Sequence, residues 1–273
     1  MASQQRAAVL GRPIGHSLSP VLHRAAYSAL GLDWSYDAID CGVAELEGVL
    51  AERTDWAGFS CTMPIKHAAL NLADEVREVA MQVGAANTLL PAPGGGWIAD
   101  NTDVAGVLGA LAEAPGSWSD ATVLGAGGTA QAAVVALGQS GIVVVDLLVR
   151  DTARTAAVRE TAARAGVALR VGKLDAGSPA LSSGLVVSAL PPGAADALAR
   201  RAWRAGQTVL DVVYHHWPTP VAAAAAGAGA RVLSGALMLL HQAAAQVLRM
   251  TGQDAPVEAM RSALRTAVPN AGL

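Results

Sequence analysis

The sequence predicts an α/β protein of two domains, each a layer of strands covered by helices. Hydrophobic residues make up 52 % of the 273-residue chain but aromatics only 4 %, so the core is built mainly from Ala, Val and Leu, which suit close helix-on-sheet contacts. Short apolar runs bounded by Gly or Pro alternate with helically spaced segments through the first hundred residues. After a hairpin-like interruption the alternation restarts at Trp118, which puts a domain border near residue 104.

In chain order, Ala7 to Leu10 reads as a buried strand ended by Gly11. A polar loop leads to Ser19-Pro20, where serine caps free backbone donors and proline is preorganised for the first helical turn. Leu22, Ala25, Ala26, Ala29 and Leu30 follow at helical spacing, and Gly31 closes the helix in the left-handed conformation. Trp34 to Ile39 predicts a strand, Val43 to Arg53 a helix and Trp56 to Thr62 a strand. Leu89 to Ile98 holds two short strands around Pro93-Gly94-Gly95-Gly96, a hairpin expected at a sheet edge. Trp118 to Leu124 is a strand running into GAGGTA, followed by an apolar helix through Leu137 and a strand from Ile142 to Val149. Leu185 to Leu190 and Thr208 to Val213 are further apolar strands. Leu237, Leu240, Ala244, Val247 and Leu248 mark an amphipathic helix, and Val257 to Ala267 a shorter last one. Pattern alone does not say where those two helices dock.

Composition narrows the function classes. A net charge of −3 with both signs scattered offers no phosphate-tracking surface, so nucleic acid is not expected as a partner. Cys41 and Cys61 have neither the number nor the spacing of a disulfide framework or a zinc site, and read as small, buried, reduced thiols of a cytosolic protein. His16, His23, His67 and His241 form no metal-ligand spacing, so no metal is expected. The opening MASQQRAAVLGRPIG lacks the apolar stretch of a signal peptide, and even Val221 to Ala230 is broken by Gly227 and Gly229, so a soluble protein with no membrane partner is expected.

Gly125, Gly127 and Ala130 fit the dinucleotide fingerprint with alanine in its third position. Glycine lets the backbone approach a pyrophosphate, while the free amides and dipole of the following helix favour its negative charge. A glycine-rich turn by itself is also an ordinary connection, so the preceding strand, the following helix and the second strand at Ile142 supply the context. The end of that second strand carries Arg150-Asp151, with Arg154 four residues beyond Arg150. An acid there holds the ribose hydroxyls of NAD, whereas arginine neutralises the extra phosphate of NADP. The two arginines favour NADP over NAD, although each also fits a solvated helix start.

Three polar segments follow predicted strands: HSLSP at 16–20, SCTMPIKH at 60–67, and ANTLL through ADNTDVAG at 86–106. Lys66 stands near a helix start, where the dipole disfavours a cation, so helix stability does not account for it. Taken singly, Lys66 also fits a surface lysine lying over Ile65. Asp103 and Ser19 fit helix caps, Asn87 a turn residue and Thr62 an ordinary strand residue.

Together these segments resemble the shikimate dehydrogenase family over nearly the whole chain. GRPIGHSLSPVLH is similar to the family's substrate-carboxylate loop, CTMPIK to its catalytic-lysine segment, GAANTL to its asparagine segment and DNTDVAG to its catalytic-aspartate segment. GAGGTA is similar to the NADP loop, DVVY to the strand before the substrate tyrosine, and SGALMLLHQAAAQ to the returning helix. The resemblance implies reversible, NADPH-dependent reduction of 3-dehydroshikimate to shikimate, on the route to chorismate and the aromatic amino acids, in the cytoplasm. It implies Lys66 and Asp103 as the catalytic pair. It gives the substrate carboxylate to Ser17, Ser19 and Tyr214, and the ring hydroxyls to Thr62, Asn87, Asp103 and Gln242. Gly125, Ala126, Gly127, Gly128, Thr129, Arg150, Arg154, Val212 and Gly235 would meet the cofactor.

The resemblance further implies that the C-terminal helices cross back onto the first domain. Residues 1–104 plus 235–273 would form the substrate and catalytic domain and residues 105–234 a Rossmann-like NADP-binding domain, with the active site in the cleft between them. A homodimer is left open. The chain departs from the family at Arg24, where asparagine is usual, at His67, where glutamate is common, and at Val149 and Asp151, which flank Arg150 where the NADP loop usually reads Asn-Arg-Thr. An NAD-using quinate/shikimate dehydrogenase, a non-catalytic sensor of shikimate and cofactor, and a folate-substrate dehydrogenase are the competing readings. The serines of HSLSP, and Lys66 and Asp103 both being present, favour the shikimate enzyme.

Overall fold

The computed structural model describes residues 5–114 and 116–273. Residues 1–4, which belong to the expected N-terminal domain and to the stretch weighed as a signal peptide, lie outside the described residues. The chain gathers into two units, one up to Thr102 together with Leu239–Ala267, the other Asp103–Met238 together with Val268–Leu273.

The first unit contains β1 (Gln5–Gly11), α1 (Ser19–Ala29), β2 (Trp34–Asp40), α2 (Leu46–Ala51), β3 (Gly58–Cys61), α3 (Lys66–Leu72), β4 (Glu75–Val76), α4 (Glu78–Val83), β5 (Thr88–Pro91) and β6 (Trp97–Asp100). Its strands form one six-stranded sheet in the order β2-β1-β3-β5-β6-β4. Strand β1 pairs in parallel with both β2 and β3, and its Ala7-Ala8-Val9-Leu10 run is buried, as a continuous apolar strand covered on both faces must be. Strand β5 is antiparallel to both its neighbours, so β1, β3 and β6 all run the same way. Their C-terminal ends, Gly11, Cys61 and Asp100, therefore lie at one edge of the layer, where the three polar segments emerge.

Several expectations need correcting in this unit. The β5–β6 hairpin lies inside the sheet; the edge is β4, two residues long and half polar, a form that resists pairing with another chain. The helix expected over 43–53 is regular only at Leu46–Ala51; residues 43–45 form a turn ahead of it, in which Glu45 pairs with Arg12 (Nη1 to Oε1 3.0 Å). Ser19 does not cap α1. It is the first helical residue after Leu18, and its own amide donates to Ser17 Oγ at 3.3 Å.

The second unit contains α5 (Asp103–Ala112), β7 (Ala121–Leu124), α6 (Gly128–Gln139), β8 (Val144–Val149), α7 (Ala156–Arg164), β9 (Ala168–Lys173), β10 (Leu185–Ser188), β11 (Thr208–Asp211), α8 (Pro220–Gly227) and β12 (Arg231–Ser234). All six strands are parallel, in the order β12-β11-β10-β7-β8-β9. Chain order reverses between β7 and β10, the switch point at which open α/β sheets bind ligands. Strands β9 and β12 were not predicted; as edge strands they are partly solvated, and their runs carry polar residues.

Helix α9 (Gly235–Thr251) and α10 (Val257–Ala267) follow. From Leu239 onward they belong to the first unit, where α10 lies against α1 and buries Met260 and Leu264. Three segments expected in the first domain group instead with the second. Asp103 and Val104 do so because apolar α5 packs on α6. Gly235–Met238 are held through the Ala236 amide, which donates to Ser234 Oγ at 3.2 Å. Val268–Leu273 are held where Ser234 Oγ reaches the Gly272 carbonyl (3.5 Å) and Gly272 lies against the Trp217 indole. No helix among the described residues is long and apolar enough to cross a membrane.

Candidate active site

In the first unit the site is built around Asn87, which precedes β5 and is almost wholly buried. Its backbone knits two strand ends together: the Cys61 amide donates to its carbonyl at 2.7 Å, and its own amide donates to Asp100 O at 3.1 Å. Its side-chain oxygen accepts from the Thr102 amide (2.7 Å) and Thr88 Oγ1 (2.8 Å), while Nδ2 donates to Thr102 Oγ1 (3.0 Å) and Gln242 Oε1 (3.2 Å). Gln242, from α9, thus meets Asn87 directly, across 155 positions of sequence.

Lys66 is the first residue of α3 and is half-buried. Its carbonyl accepts from the Ala86 amide at 2.9 Å, which ties the lysine backbone to the residue before Asn87. Thr62 sits in the turn ahead of it, its amide on Leu10 O (2.9 Å) and its carbonyl accepting from Ile65 N (3.0 Å). Burial pushes the Cys61 thiol up to about 12, against the pull of the Lys66 charge. The thiol is therefore protonated at neutral pH and no nucleophile. Ser17 is half-buried and Ser19 buried, and the Ser19 side chain lies near enough to the Tyr36 hydroxyl to act weakly against the rise that burial gives its pKa.

Four residues that sequence reasoning missed complete this region: His23, Tyr36, Ser60 and Gln246, all buried. Gln246 lies four positions after Gln242, hence on the same helical face. That spacing, and polar residues inside otherwise apolar strands, were the available signals. Below them Asp100, buried at the end of β6, accepts from Arg77 Nη1 (2.9 Å) and Arg249 Nε (2.8 Å), fixing α9 to the sheet.

In the second unit Asp103 opens α5 and is buried. The residues expected to meet a cofactor follow the C-terminal ends of parallel strands: Gly125 after β7, Arg150 after β8, Val212 after β11 and Gly235 after β12. Gly125 has φ +103°, and a side chain there would stand 3.0 Å from Ala189 O, so only glycine makes this turn without strain. Gly127 precedes α6 with no side-chain cap and with open space where a side chain would project, leaving the first-turn amides of a 12-residue helix to an anion. Gly235 packs so closely on Val212 that a β-carbon would lie 2.0 Å from its carbonyl oxygen. Ala126, Gly128, Thr129, Arg150 and Arg154 are all at least partly exposed. These residues fit a dinucleotide with an extra phosphate. The Asp151 carboxylate accepts from the Ala153 amide (3.0 Å), so it is turned back on its own 3-10 turn.

Tyr214 follows β11 and is half-buried, and burial raises its phenol. The turn before it is held by Asp211, which accepts from Thr219 Oγ1 (2.7 Å) and the Val213 amide (3.2 Å); burial raises this carboxyl against those bonds. Among the described residues no group of three or more His, Cys, Asp or Glu side chains could hold a metal ion.

Comparison with known proteins fits this geometry. A family model for the shikimate dehydrogenase substrate-binding domain matches residues 9–89, and one for the shikimate 5'-dehydrogenase C-terminal domain matches residues 235–265. The NADP(+) shikimate dehydrogenase of Halobacterium salinarum is 39 % identical over 270 residues, 94 % of this chain and 97 % of its own. The Mycobacterium tuberculosis shikimate dehydrogenase structure is 46 % identical with a TM-score of 0.87, covering 96 % of this chain and 99 % of its own. The shikimate 5-dehydrogenase of Thermus thermophilus, solved in complex with NADP(H) and shikimate, is 33 % identical with a TM-score of 0.81, covering 97 % of this chain and all of its own (100 %). Matched along nearly its full length by enzymes of one kind, the chain belongs to the shikimate dehydrogenase family.

Proposed function

We propose that the chain is an NADP-dependent shikimate dehydrogenase, an oxidoreductase that reversibly reduces the ring ketone of 3-dehydroshikimate to shikimate on the route to chorismate and the aromatic amino acids. The observation that carries this reading is the buried Asn87–Thr102–Gln242 cluster, a set of fixed donors and acceptors suited to a polyhydroxylated ring, with the Lys66 backbone bonded to the residue beside it.

The hydroxyls of Ser17, Ser19 and Tyr214 donate to the substrate carboxylate. Thr62, Asn87, Asp103 and Gln242 read the ring hydroxyls. When bound along Gly125–Thr129, Val212 and Gly235, with Arg150 and Arg154 on its extra phosphate, NADPH supplies the hydride. Lys66 gives a proton from its ammonium to the oxygen that becomes the alcohol, and takes it back in the reverse direction. Asp103 holds the lysine in place and accepts from a ring hydroxyl; the two groups titrate as a pair. Apart from Tyr214, the substrate groups belong to residues up to 104 and from 235 onward, and apart from Gly235 the cofactor groups belong to residues 105–234. The turned-back Asp151 carboxylate supports NADP over NAD. The same reading makes the protein a cytoplasmic enzyme of small-molecule metabolism, acting without nucleic acid, membrane or metal.

Initial rates on shikimate and quinate, each with NADP and NAD, test the assignment: shikimate with NADP is expected to be the fastest pair. Lys66→Ala should lower kcat by roughly 10²–10⁴-fold with shikimate affinity largely kept. Near-normal turnover of that variant would end the role given to Lys66.

A further inference from the structure

The substrate-binding side chains of the first unit rest on a second, wholly buried layer of polar groups, and Gln246 is its hub. Gln246 Nε2 donates to the Asn87 carbonyl (3.1 Å) and Thr88 Oγ1 (3.0 Å); its Oε1 accepts from Ser60 Oγ (2.8 Å) and faces His23 Nε2 at 3.3 Å. We propose that Gln246 is a positioning residue for substrate recognition: it fixes which way the Asn87 amide faces, and it anchors the Ser60–Tyr36 hydroxyl pair beside Ser19. This rests on the reading that Asn87 and Ser19 touch the substrate.

The directions of the hydrogen bonds follow from one fixed point. A backbone carbonyl can only accept, so the face of Gln246 toward Asn87 O must be its amide nitrogen, and the oxygen must face Ser60 and His23. Thr88 Oγ1 accepts from that nitrogen and so has its own proton for Asn87 Oδ1 (2.8 Å). With the Thr102 amide also donating to Oδ1, the oxygen of Asn87 is committed and its nitrogen is presented to Thr102 Oγ1 and Gln242. An Asn87 free to flip would offer a donor and an acceptor to the ring hydroxyls in either order; this one offers a single order.

On the other side, Ser60 spends its proton on Gln246, so the Tyr36 hydroxyl donates to Ser60 Oγ (2.5 Å) and has only its lone pairs to turn toward the Ser19 side chain nearby.

The test uses the full chain with Gln246→Met, close in volume and without polar ends, together with Asn87→Ala and the double variant, and Tyr36→Phe, which cuts only the Tyr36–Ser60 bond beside Ser19. Loss of a buried hydrogen-bond set of this kind predicts a rise of roughly 5- to 100-fold in KM and Kd for shikimate in Q246M, with kcat within about 5-fold and KM for NADP unchanged. Because Gln246 acts partly through Asn87, the Q246M effect should shrink at least about 3-fold in the Asn87→Ala background. Y36F should raise shikimate KM while leaving that coupling intact, and it reads the same hydroxyl pair should Q246M fail to fold. Independent, multiplying effects of Q246M and N87A, or a loss of NADP affinity in step with shikimate affinity, would mark Gln246 as merely structural and overturn the proposal. Unchanged shikimate affinity in Q246M overturns this proposal alone; a wild type that neither binds nor turns over shikimate overturns the functional reading with it.

Discussion

His23 is fully buried, stacked 4.0 Å from the Tyr36 ring, and burial lowers its pKa to about 3, partly offset by its bond to Gln246. The folded protein keeps this imidazole neutral, whereas the unfolded chain protonates it below its ordinary value of about 6.5. The depressed value makes His23 favour folding fully above about 6.5, and this contribution falls as the pH drops toward 3, by up to about 1.4 kcal/mol per pH unit. Urea midpoints measured from pH 7 to 4 should decline, and His23→Gln should flatten that decline; an equal slope in both proteins would show that other groups cause it. At this scale the sequence was informative wherever a residue belongs to a motif: Lys66, Asn87, Asp103 and Gln242 stand out in CTMPIK, GAANTL, DNTDVAG and HQAAAQ. Tyr36, Ser60 and Gln246 carried only the weak signals of helical spacing and of a polar residue in an apolar run, because a polar residue that satisfies others inside the core has the same local sequence as one that faces water.

Among the elements, α9 shows how a helix is pinned to a sheet by charge. Arg249 reaches the buried Asp100 carboxylate, which Arg77 also holds. Asp100→Ala strands two cations, but both arginines are about two-fifths exposed (37 % and 42 %) and can be solvated, so a loss of about 1–3 kcal/mol in chemical denaturation is expected, below the usual cost of breaking a fully buried pair. The turn into α6 gives a different prediction. Gly125→Ala forces a β-carbon into the positive-φ region and against Ala189 O. Titration should show NADP affinity weakened by about tenfold or more while shikimate affinity is kept, with about 1–3 kcal/mol lost in stability. The strand–GAGGTA–helix sequence made this element legible, as did the buried runs of β1, β7 and β10. Strands β4, β9 and β12 were not, since edge strands are short and half-solvated and lack a continuous apolar run. Nor was α8, whose alanine run carries no periodicity.

For the molecule as a whole, the discontinuous first unit could be inferred only from resemblance. Docking of α9 depends on long-range pairs such as Gln242 with Asn87 and Gln246 with His23, and that of α10 on apolar contact with α1, neither of which periodicity encodes. Expressed alone, residues 1–102 would expose the apolar face that α10 covers and leave the Asn87 carbonyl and Ser60 without Gln246. Such a fragment should lack a cooperative thermal transition, and adding a peptide spanning 239–267 should restore one, readable by circular dichroism. Because His23 finds its partner 223 positions later, the order of synthesis runs against the order of use. A ribosome that has released the first 234 residues has finished the strands of the parallel sheet, yet the half of the enzyme it made first still waits for the last helices to emerge, and for that interval its apolar face and buried polar groups stand uncovered.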